Sequence, residues 1–402
     1  MRAGRVPGSL HECRRRDDGS AGEGYPRPGS LGGAPRPAMS QSKRGPRGQR
    51  KPSEPEWIAM VPRGLEGLAC DEVRDRLSVH AVSDVPGEIR FWPQGDVDPL
   101  ILRCAELCFL RVIDLPSLPG GRVGPRELVP AIHRAGKDIL AAAGAAKDAG
   151  LGRLRTVRVV TRMESTYPYP RQHLRDKAER EIPRALGRKF RLVQENAGLE
   201  VWVTAGMRSL SVDVRVSPEE HRHREYKIQH IEGSLRAAPA ACLVRYAKPD
   251  PGEVFCDPFC GAGTIALERA HYGLPYEGLM IGDLDPAAVD TALANFGPRH
   301  QPRLISVWNA ARLPLADESI DVVVTNLPFG VKAPVADPRT LYHAALSEMA
   351  RVLRPGGRAV LLAEDQDLVS EAARASGRLH QGGRARVELQ GRWASVERFF
   401  RY

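Results

Sequence analysis

The sequence feature that most constrains the fold is a short apolar strand that ends in a polar, proline-containing turn. Residues Asp321–Val324 present no polar face, which is typical of a strand covered on both sides in a parallel sheet. The residues that follow are Thr325, Asn326, Leu327, Pro328, Phe329 and Gly330. Because open α/β sheets bind ligands at the carboxyl ends of such strands, the pattern predicts a ligand site here.

The residues after this strand suit chemistry on a flat, amine-bearing group. The lone pair of an exocyclic amine is delocalised into its ring, so the nitrogen becomes nucleophilic only when acceptors draw its N–H groups out of the plane. Asn326 Oδ1 and the Leu327 carbonyl are the expected acceptors. Pro328 fixes the direction of that carbonyl, and Phe329 offers a face for stacking an extruded base. A strand that simply ends in a proline turn also explains these residues.

A second strand and a glycine turn lie upstream. Glu253–Asp257 predicts a strand, and Gly261 and Gly263 follow it at the start of a helix. Glycine lets the backbone approach a ligand closely, and a helix N-terminus presents free N–H groups to a carboxylate or phosphate. The next predicted strand, 278–286, carries Asp283, a carboxylate suited to the two hydroxyls of a ribose.

The same turn also fits a dinucleotide-binding pattern. Residues 261–266 match G-x-G-x-x-A, and Asp283 lies 22 residues after Gly261, close to the spacing of roughly 20 in NAD-binding enzymes. Asp257 argues against NAD, because a pyrophosphate gains nothing from a neighbouring carboxylate, whereas an ammonium group does.

Both motifs resemble those of class I S-adenosylmethionine-dependent methyltransferases. DPFCGAGT, residues 257–264, is similar to motif I (D-P-x-C-G-x-G-T), and NLPF, residues 326–329, is similar to [D/N]-P-P-[Y/F] with Leu327 in place of the first proline. The resemblance implies S-adenosylmethionine as the cofactor, with these residues binding it: Asp257, Pro258, Gly261, Gly263, Thr264, Asp283 and Asn309. Asn309 stands where the family commonly has aspartate after the third strand (303–307), and it keeps an acceptor for the adenine amine.

The rest of the C-terminal half follows the same resemblance. Residues 345–364 predict a helix, a Gly-Gly turn and a fifth strand, and 387–402 predict a hairpin that ends the chain. The resemblance therefore implies a Rossmann-like α/β domain over 236–402. Its sheet has seven mostly parallel strands, of which the sixth and seventh are antiparallel.

The front half predicts two smaller domains. Residues 57–120 predict a ferredoxin-like α+β domain. Its strands are predicted at 57–62, 88–93 and 109–116, and its helices at 65–77 and 98–107. Residues 121–218 predict a long helix, a strand, a basic helix and two strands, at 125–147, 154–161, 171–186, 199–204 and 209–216. The order of the second set, just before a methyltransferase, resembles a THUMP domain, an RNA-binding module.

Positive charge is concentrated in this front half. Residues 151–230 carry 17 Lys/Arg against 10 Asp/Glu, within a net charge of +10 for the chain. Such a distribution is expected of a separate nucleic-acid docking module. Candidate phosphate contacts form a patch: Arg171, Arg175, Arg184, Arg188 and Lys189. A helix with an ordinary solvated basic face explains the charge equally well.

Residues 57–402 together resemble the THUMP-containing RNA guanine-N2 methyltransferases that act on tRNA. The resemblance implies methylation of guanine N2 in the acceptor-stem region, with the THUMP domain holding the 3′ end. The Asn-x-Pro-Phe motif also serves other amine methylations, so an rRNA or DNA amino-methyltransferase stays an alternative, as does a catalytically silent RNA-binding protein. The exact nucleotide, the oligomeric state and any small activating subunit stay open.

The N-terminal segment has a different composition. Residues 1–56 hold 12 Lys/Arg against 6 Asp/Glu, and 18 of them are Gly or Pro. Such a segment buries too little apolar surface to fold, which predicts a disordered tail. Met39 opens a second basic stretch, and we hypothesise that translation begins there. N-terminal sequencing of the native protein tests this. Residues 40–56 are then a basic arm for nucleic acid or a solubilising tail.

Cysteine usage and hydropathy set the compartment. The seven cysteines include two C-x3-C pairs without nearby histidine, which favours buried thiols over a zinc site and predicts a reduced, cytoplasmic location. No run approaches the roughly 18 apolar residues of a membrane span. The polar, basic composition of residues 219–235 predicts a linker that is solvated or faces RNA. Its three histidines lack the spacing of metal ligands, so a metal site is not expected there.

Overall fold

The computed structural model describes residues 55–95, 97–98, 101–116, 124–148, 155–163, 169–206, 209–328 and 337–402. The predicted tail, 1–56, lies outside the described residues apart from its last two positions. Its disorder, its basic arm and the start at Met39 therefore stay predictions.

Strands with alternating apolar side chains build one eight-stranded sheet in the front half. In the strand that begins at Thr156, Val157, Val159 and Thr161 are buried while Arg158 faces solvent, the two-residue period of a half-buried strand. The strands are β1 Glu56–Met60, β2 Ala81–Val85, β3 Glu88–Phe91, β4 Leu107–Pro116, β5 Thr156–Met163, β6 Arg191–Leu192, β7 Leu199–Ala205 and β8 Ser209–Arg215. Their order in the sheet is β2-β3-β1-β4-β8-β7-β5-β6.

Helices supply the apolar core of this sheet. They are α1 Glu66–Leu77, α2 Pro125–Arg134, α3 Gly136–Asp148 and α4 Arg171–Leu186. Leu128 and Ile132 of α2 and Leu174 and Ile182 of α4 are fully buried in one cluster with the strands. The basic face of α4 is thus the outer side of a helix whose inner side is firmly packed.

The predicted boundary at 120/121 divides a single sheet rather than two separate sheets. β4 pairs with β8 in antiparallel register, with Leu110 opposite Val214 and Leu115 opposite Leu210. Because this ladder hydrogen-bonds the two segments, residues 57–120 and 121–218 fold as one sheet. The sequence predicted six of these eight strands, all except β2 and β6, and it did not show which strands pair with each other.

Two predicted helices differ in the structure. Residues 101–106, in the predicted helix 98–107, form turns, and strand β4 begins at Leu107. The predicted helix 125–147 is two helices that meet at Ala135, the C-terminal cap of α2. Gly136 allows the close contact there, since a Cβ on it would lie 2.9 Å from the Ala185 carbonyl oxygen.

The C-terminal half forms a seven-stranded sheet, as predicted. Its strands are β9 Glu253–Asp257, β10 Tyr276–Asp283, β11 Arg303–Val307, β12 Ile320–Asn326, β13 Leu353–Ala363, β14 Leu379–Leu389 and β15 Arg392–Arg401, and its helices are α6 Ala237–Ala247, α7 Thr264–Ala270, α8 Pro286–Phe296, α9 Pro338–Val352 and α10 Gln366–Ala375. The strand order is β11-β10-β9-β12-β13-β15-β14. Only β15 runs antiparallel to both of its neighbours, which confirms the predicted Rossmann-like α/β fold.

Strand β12 is covered on both sides. Val322 and Val324 pack into one apolar core, and Val323 packs into the other. The alternation of strand side chains between the two faces explains this division. The apolar run was therefore a correct signal of a central parallel strand.

The predicted linker is packed near its start, whereas most of residues 225–233 are exposed. Its short helix α5, Glu219–His223, buries His221, whose Nε2 lies 3.0 Å from both the Leu102 and the Ala105 carbonyl oxygens. Since carbonyls only accept, Nε2 is the donor. Burial lowers the pKa of His221 to about 4, so the ring is neutral at pH 7. The polar pattern of this segment does not predict the burial of His221, because the carbonyls bonded to it lie more than a hundred residues away.

A buried charge cluster joins the two halves. Glu268 of α7 accepts from Arg103 Nε at 2.6 Å and from Arg224 Nε at 3.4 Å, and also from the Tyr226 hydroxyl. Burial alone would raise the pKa of Glu268, but the two guanidinium groups outweigh it and lower that pKa. The cluster links a loop of the first sheet, the linker and the helix that follows the glycine turn.

The described cysteines are buried free thiols: Cys70, Cys104, Cys108, Cys242, Cys256 and Cys260. No cluster of three metal-ligating side chains occurs among the described residues. In the same part of the chain, no helix combines the length and the apolar character needed to cross a bilayer.

Candidate active site

The glycine turn after β9 opens towards free space. Gly261 and Gly263 have φ angles of +50° and +77°, a conformation that favours glycine. The turn is held by the Cys260 N–H, which donates to the Gly282 carbonyl at 2.9 Å, and by the Gly263 N–H, which donates to the Cys260 carbonyl at 2.8 Å. A Cβ on Gly261 would meet no atom within 4 Å, so a ligand has room to approach the backbone there.

Asp283 ends β10 beside this turn. One of its carboxylate oxygens accepts the Gly261 N–H at 2.9 Å, and the other accepts the Asp285 N–H at 3.1 Å. These bonds fix the carboxylate while leaving lone pairs on both oxygens for a ligand. The arrangement suits a diol, as predicted for the ribose.

Asn326 ends β12, next to β9 in the sheet. Its Oδ1 is buried and has no hydrogen-bond partner among the described residues. A buried acceptor without a partner is costly in a folded protein, so this atom is suited to a donor from a bound ligand. The Tyr342 hydroxyl donates to the Pro328 carbonyl at 2.9 Å, which holds the following peptide in place.

Leu327 compensates for the absence of the family's first proline. Its N–H donates to the Leu362 carbonyl of β13 at 3.0 Å, and its side chain is fully buried. Proline at this position would have no N–H to donate. The peptide is therefore restrained by a hydrogen bond and by packing instead of by a ring.

One cavity of about 560 Å³ connects these features. Its volume is in the range of small-molecule sites, about 300 to 1,000 Å³. On the cofactor side it is lined by Phe259, Cys260, Gly261, Ala262, Thr264, Ile265 and Asp283. Its other walls are residues 231–236, the strand-end residues Asn326, Leu327, Pro328 and Glu364, and the hairpin residues Leu389, Gln390 and Arg392.

The structure brings only part of the predicted set to this cavity. Four predicted cofactor residues do not line it: Asp257, Pro258, Gly263 and Asn309. Asn309 Oδ1 instead accepts the Ala311 N–H at 2.9 Å and closes a local turn, so its predicted contact with adenine has no support in this geometry. Phe329 lies outside the described residues, so its stacking role stays a prediction.

Asp257 lies behind the cavity wall. It is fully buried, and its Oδ1 accepts the Thr325 hydroxyl at 2.6 Å, which ties the glycine turn to the residue before Asn326. Its Oδ2 has no partner among the described residues. Burial raises the pKa of Asp257 to about 7, despite the hydrogen bond from Thr325. The strand parity that buries this side chain was not evident from motif I.

Replacing Asp257 by asparagine should remove a pH dependence of stability. A raised folded-state pKa means that the folded protein binds the extra proton between about pH 4 and 7, so stability falls as pH rises through that interval. The slope is at most about 1.4 kcal/mol per pH unit. Asparagine imitates the protonated acid, so we expect the variant to lack this component in urea unfolding at pH 5, 6, 7 and 8.

The same variant tests the predicted contact with an ammonium group. If Asp257→Asn leaves the affinity for S-adenosylmethionine unchanged in calorimetry, Asp257 acts only through Thr325. A loss of affinity of about tenfold or more, with the fold intact, would support the sequence-based prediction instead.

Sequence reasoning missed two walls of the cavity. Residues 231–235 were predicted as part of the linker, and α6 begins after them, at Ala237. The tip of the β14–β15 hairpin and Glu364 also line the cavity. Glu364 directly follows β13, just as Asn326 and Asp283 end their own strands. A polar residue at the carboxyl end of a strand predicts a ligand site, so Glu364 could have been identified from the sequence.

The predicted RNA patch is on and after α4. Arg171 donates to the Thr161 carbonyl at 2.9 Å. Two patch arginines form ion pairs with glutamates of the same helix, Arg175 with Glu179 and Arg184 with Glu181. Beyond the helix end lie Arg188 and Lys189, and both are exposed. RNA contact by the patch is thus still a prediction.

The residues present fit S-adenosylmethionine. The open glycine turn, the fixed carboxylate of Asp283 and Asn326, whose buried Oδ1 has no partner among the described residues, contribute to one cavity of suitable size. The strand order and the ligand site at the carboxyl ends of β9, β10 and β12 define a class I methyltransferase domain.

Comparisons with known proteins agree. Residues 224–395 match the family model described as UPF0020, RMKL-like methyltransferase domain. The chain is 31% identical over 207 residues to bovine tRNA (guanine(6)-N(2))-methyltransferase THUMP3, covering 48% of this chain and 40% of that protein. It is 30% identical over 210 residues to tRNA (guanine(6)-N2)-methyltransferase of Thermus thermophilus, covering 51% and 61%. The chain thus spans well under two thirds of the bovine relative.

Solved structures extend the likeness to the front half. The crystal structure of TrmN from Thermus thermophilus superimposes with a TM-score of 0.71 at 25% identity, covering 86% of this chain and all of that one. SMU.472, a putative methyltransferase complexed with SAH, shares the fold with a TM-score of 0.61 at 14% identity. The resemblance inferred from the motifs, to class I S-adenosylmethionine-dependent RNA guanine-N2 methyltransferases, is confirmed.

Proposed function

We propose that this protein transfers a methyl group from S-adenosylmethionine to the N2 amine of a guanine in the acceptor-stem region of tRNA. The observation that carries the proposal is that Asn326, whose buried Oδ1 has no partner among the described residues, lines the same cavity as Asp283 and the glycine turn. The guanine-N2 relatives and the basic front half support the choice of base and of RNA.

The chain's residues activate the amine by geometry. S-adenosylmethionine would supply an electrophilic methyl group, and its sulfonium sulfur would keep the electrons of the broken S–C bond and leave as a neutral thioether. Asn326 Oδ1 and the Leu327 carbonyl would hold the N2–H groups, so that the nitrogen lone pair leaves conjugation with the ring and becomes nucleophilic. Positioning of this kind accounts for most of the acceleration. Asn326 is an amide and not a strong base, so the proton lost in the reaction leaves to water.

The base must leave its helix to reach this cavity. We infer that residues 121–218 dock the RNA, with 57–120 completing their sheet and 219–235 joining them to the catalytic domain, 236–402. The ladder between β4 and β8 and the Glu268 cluster support a fixed orientation of the docking module. A fixed module places one RNA position at the cavity.

Replacing Arg188 and Lys189 together by alanine should weaken tRNA binding. Each phosphate contact removed lowers the slope of log affinity against log salt by about one. We expect the KM for tRNA to rise several-fold with little change in kcat, measured at two salt concentrations. The matched control replaces Arg374 and Arg378 of the catalytic domain, which also lie at and just beyond the end of a helix. Equal effects of the two double variants on the KM for tRNA would contradict RNA binding by the patch.

Incubation with labelled S-adenosylmethionine and total tRNA, rRNA or DNA, followed by digestion to nucleosides, tests the function. We expect labelled N2-methylguanosine from tRNA. Label in another nucleoside or another nucleic acid would identify a different amino-methyltransferase. Cofactor binding in calorimetry without any transfer would indicate a catalytically silent RNA-binding protein.

We also infer a cytoplasmic location, which the buried free thiols support. The mass of the native protein purified under reducing conditions tests whether a small activating subunit or a second copy accompanies the chain. Transfer activity of the purified chain alone would argue against an obligatory activator.

A further inference from the structure

The cavity extends past Asn326 to three polar side chains outside both motifs: Glu364, Gln390 and Arg392. Glu364 directly follows β13. Gln390 is in the turn between β14 and β15, with a φ of +52°. Arg392 begins β15.

Glu364 is next to the predicted amine site by sheet register. Asn326 of β12 pairs with Leu362 of β13, and the Leu327 N–H donates to the Leu362 carbonyl. Glu364 lies one residue beyond the end of β13, at the same carboxyl end of the sheet as Asn326. The carboxylate and the amide acceptor therefore belong to the same wall of one cavity.

The hairpin tip that completes this wall is held by the front half of the chain. The Glu388 N–H donates to the Arg63 carbonyl at 2.9 Å, and Arg63 pairs with the Glu388 carboxylate at 2.6 Å. Across the cavity, Arg392 Nη1 lies 3.8 Å from Glu364 Oε1. This pair is long, and 35% of the Glu364 side chain is exposed, so the carboxylate is accessible to a ligand.

The three side chains complement one edge of guanine. That edge has an acceptor at O6, a donor at N1 and the N2 amine. A carboxylate only accepts, while glutamine and arginine donate. In adenine and cytosine the corresponding ring nitrogen carries a lone pair, which a carboxylate repels.

We propose that Glu364 selects guanine by accepting its N1–H while Asn326 holds N2, with Gln390 and Arg392 as donors to O6. The proposal rests on the proposed function and adds the residues that distinguish the base. Selection of this kind is strong because the wrong base leaves polar groups of the site unpaired.

The test replaces Glu364 by glutamine and the base by 2,6-diaminopurine. The methylated guanine of a tRNA transcript, once mapped, is replaced by this analogue, which keeps the 2-amino group but accepts at N1 and donates at position 6. For the unaltered enzyme we expect a strong preference for guanine. For Glu364→Gln we expect kcat/KM on guanine to fall about 10- to 100-fold, as for loss of a hydrogen bond to a charged group.

The preference itself is the decisive measurement. The glutamine amide can donate to N1 of 2,6-diaminopurine, so the ratio of kcat/KM for guanine to that for the analogue should fall more than about tenfold. A general loss of structure would lower both values and leave their ratio unchanged. The KM for S-adenosylmethionine should stay within about twofold.

Glu371→Gln is the matched control. Glu371 is also a partly exposed glutamate paired with an arginine, Arg339, but it does not line the cavity. For this variant we expect the ratio of kcat/KM for guanine to that for 2,6-diaminopurine to equal the ratio of the unaltered enzyme. If the unaltered enzyme methylates guanine N2 and Glu364→Gln keeps the full preference, this inference is overturned while the proposed function stands. If the unaltered enzyme methylates no guanine N2, both fail.

Discussion

Replacing Asn326 by alanine is expected to reduce methyl transfer to RNA about 100- to 1,000-fold, the usual effect of removing one preorganised polar group from a reacting centre. The Oδ1 atom is buried without a partner among the described residues, so its removal breaks no hydrogen bond of the folded protein, and the atom is free to accept from the N2 amine. The measurement is single-turnover transfer of labelled methyl to tRNA, with the enzyme in excess.

Asn326→Asp serves as the control for this prediction. Aspartate keeps an acceptor at the same position, so it should retain more activity than alanine. The affinity for S-adenosylmethionine in calorimetry should change little in either variant, because Asp283 and the glycine turn are untouched. An Asn326→Ala enzyme that works at nearly the normal rate would refute the proposed mechanism.

Replacing Glu268 by alanine is expected to destabilise the protein by about 3–5 kcal/mol, the cost of leaving buried charges without their partner. Glu268 is fully buried and pairs with Arg103 and Arg224. The measurement is the urea midpoint of unfolding at pH 7. Glu277→Gln, on an exposed position, controls for loss of one negative charge and should shift the midpoint little.

The pH dependence provides a second measurement on Glu268. Its pKa is lowered in the folded protein, so its stabilising contribution is present above the unfolded-state pKa and is lost as pH falls through the lowered value. Below the ordinary glutamate value of 4.5, the difference between wild type and variant should therefore shrink. A difference under about 1 kcal/mol at pH 7, far below that expected for a broken buried pair, would contradict the role of this cluster.

Local patterns predicted most of the catalytic half. Val322, Val323 and Val324 indicated a strand covered on both sides, and the structure divides them between two cores. Gly261 and Gly263 indicated a turn in which the backbone approaches a ligand closely, and both have positive φ. Each of these patterns depends only on neighbouring residues, so the prediction does not require knowledge of contacts between distant parts of the chain.

Contacts between distant segments were not predictable in this way. Arg103 and Glu268 are 165 positions apart, and nothing in the sequence distinguishes this glutamate from those on helix surfaces. His221 resembled a solvated linker residue for the same reason. The helix expected over 98–107 failed because residues 101–106 form the turns that carry Arg103 and the carbonyls bonded to His221.

The sequence by itself determined most of the strands, the glycine turn and the acceptor motif at Asn326, because strand period, backbone freedom and side-chain chemistry are properties of short segments. Only the tertiary structure decided that the front half is one sheet, that Asp257 lies behind the cavity, and that Glu364 and Arg392 line it. These depend on which strands pair and which side chains lose contact with water, and both are settled by packing across the whole chain.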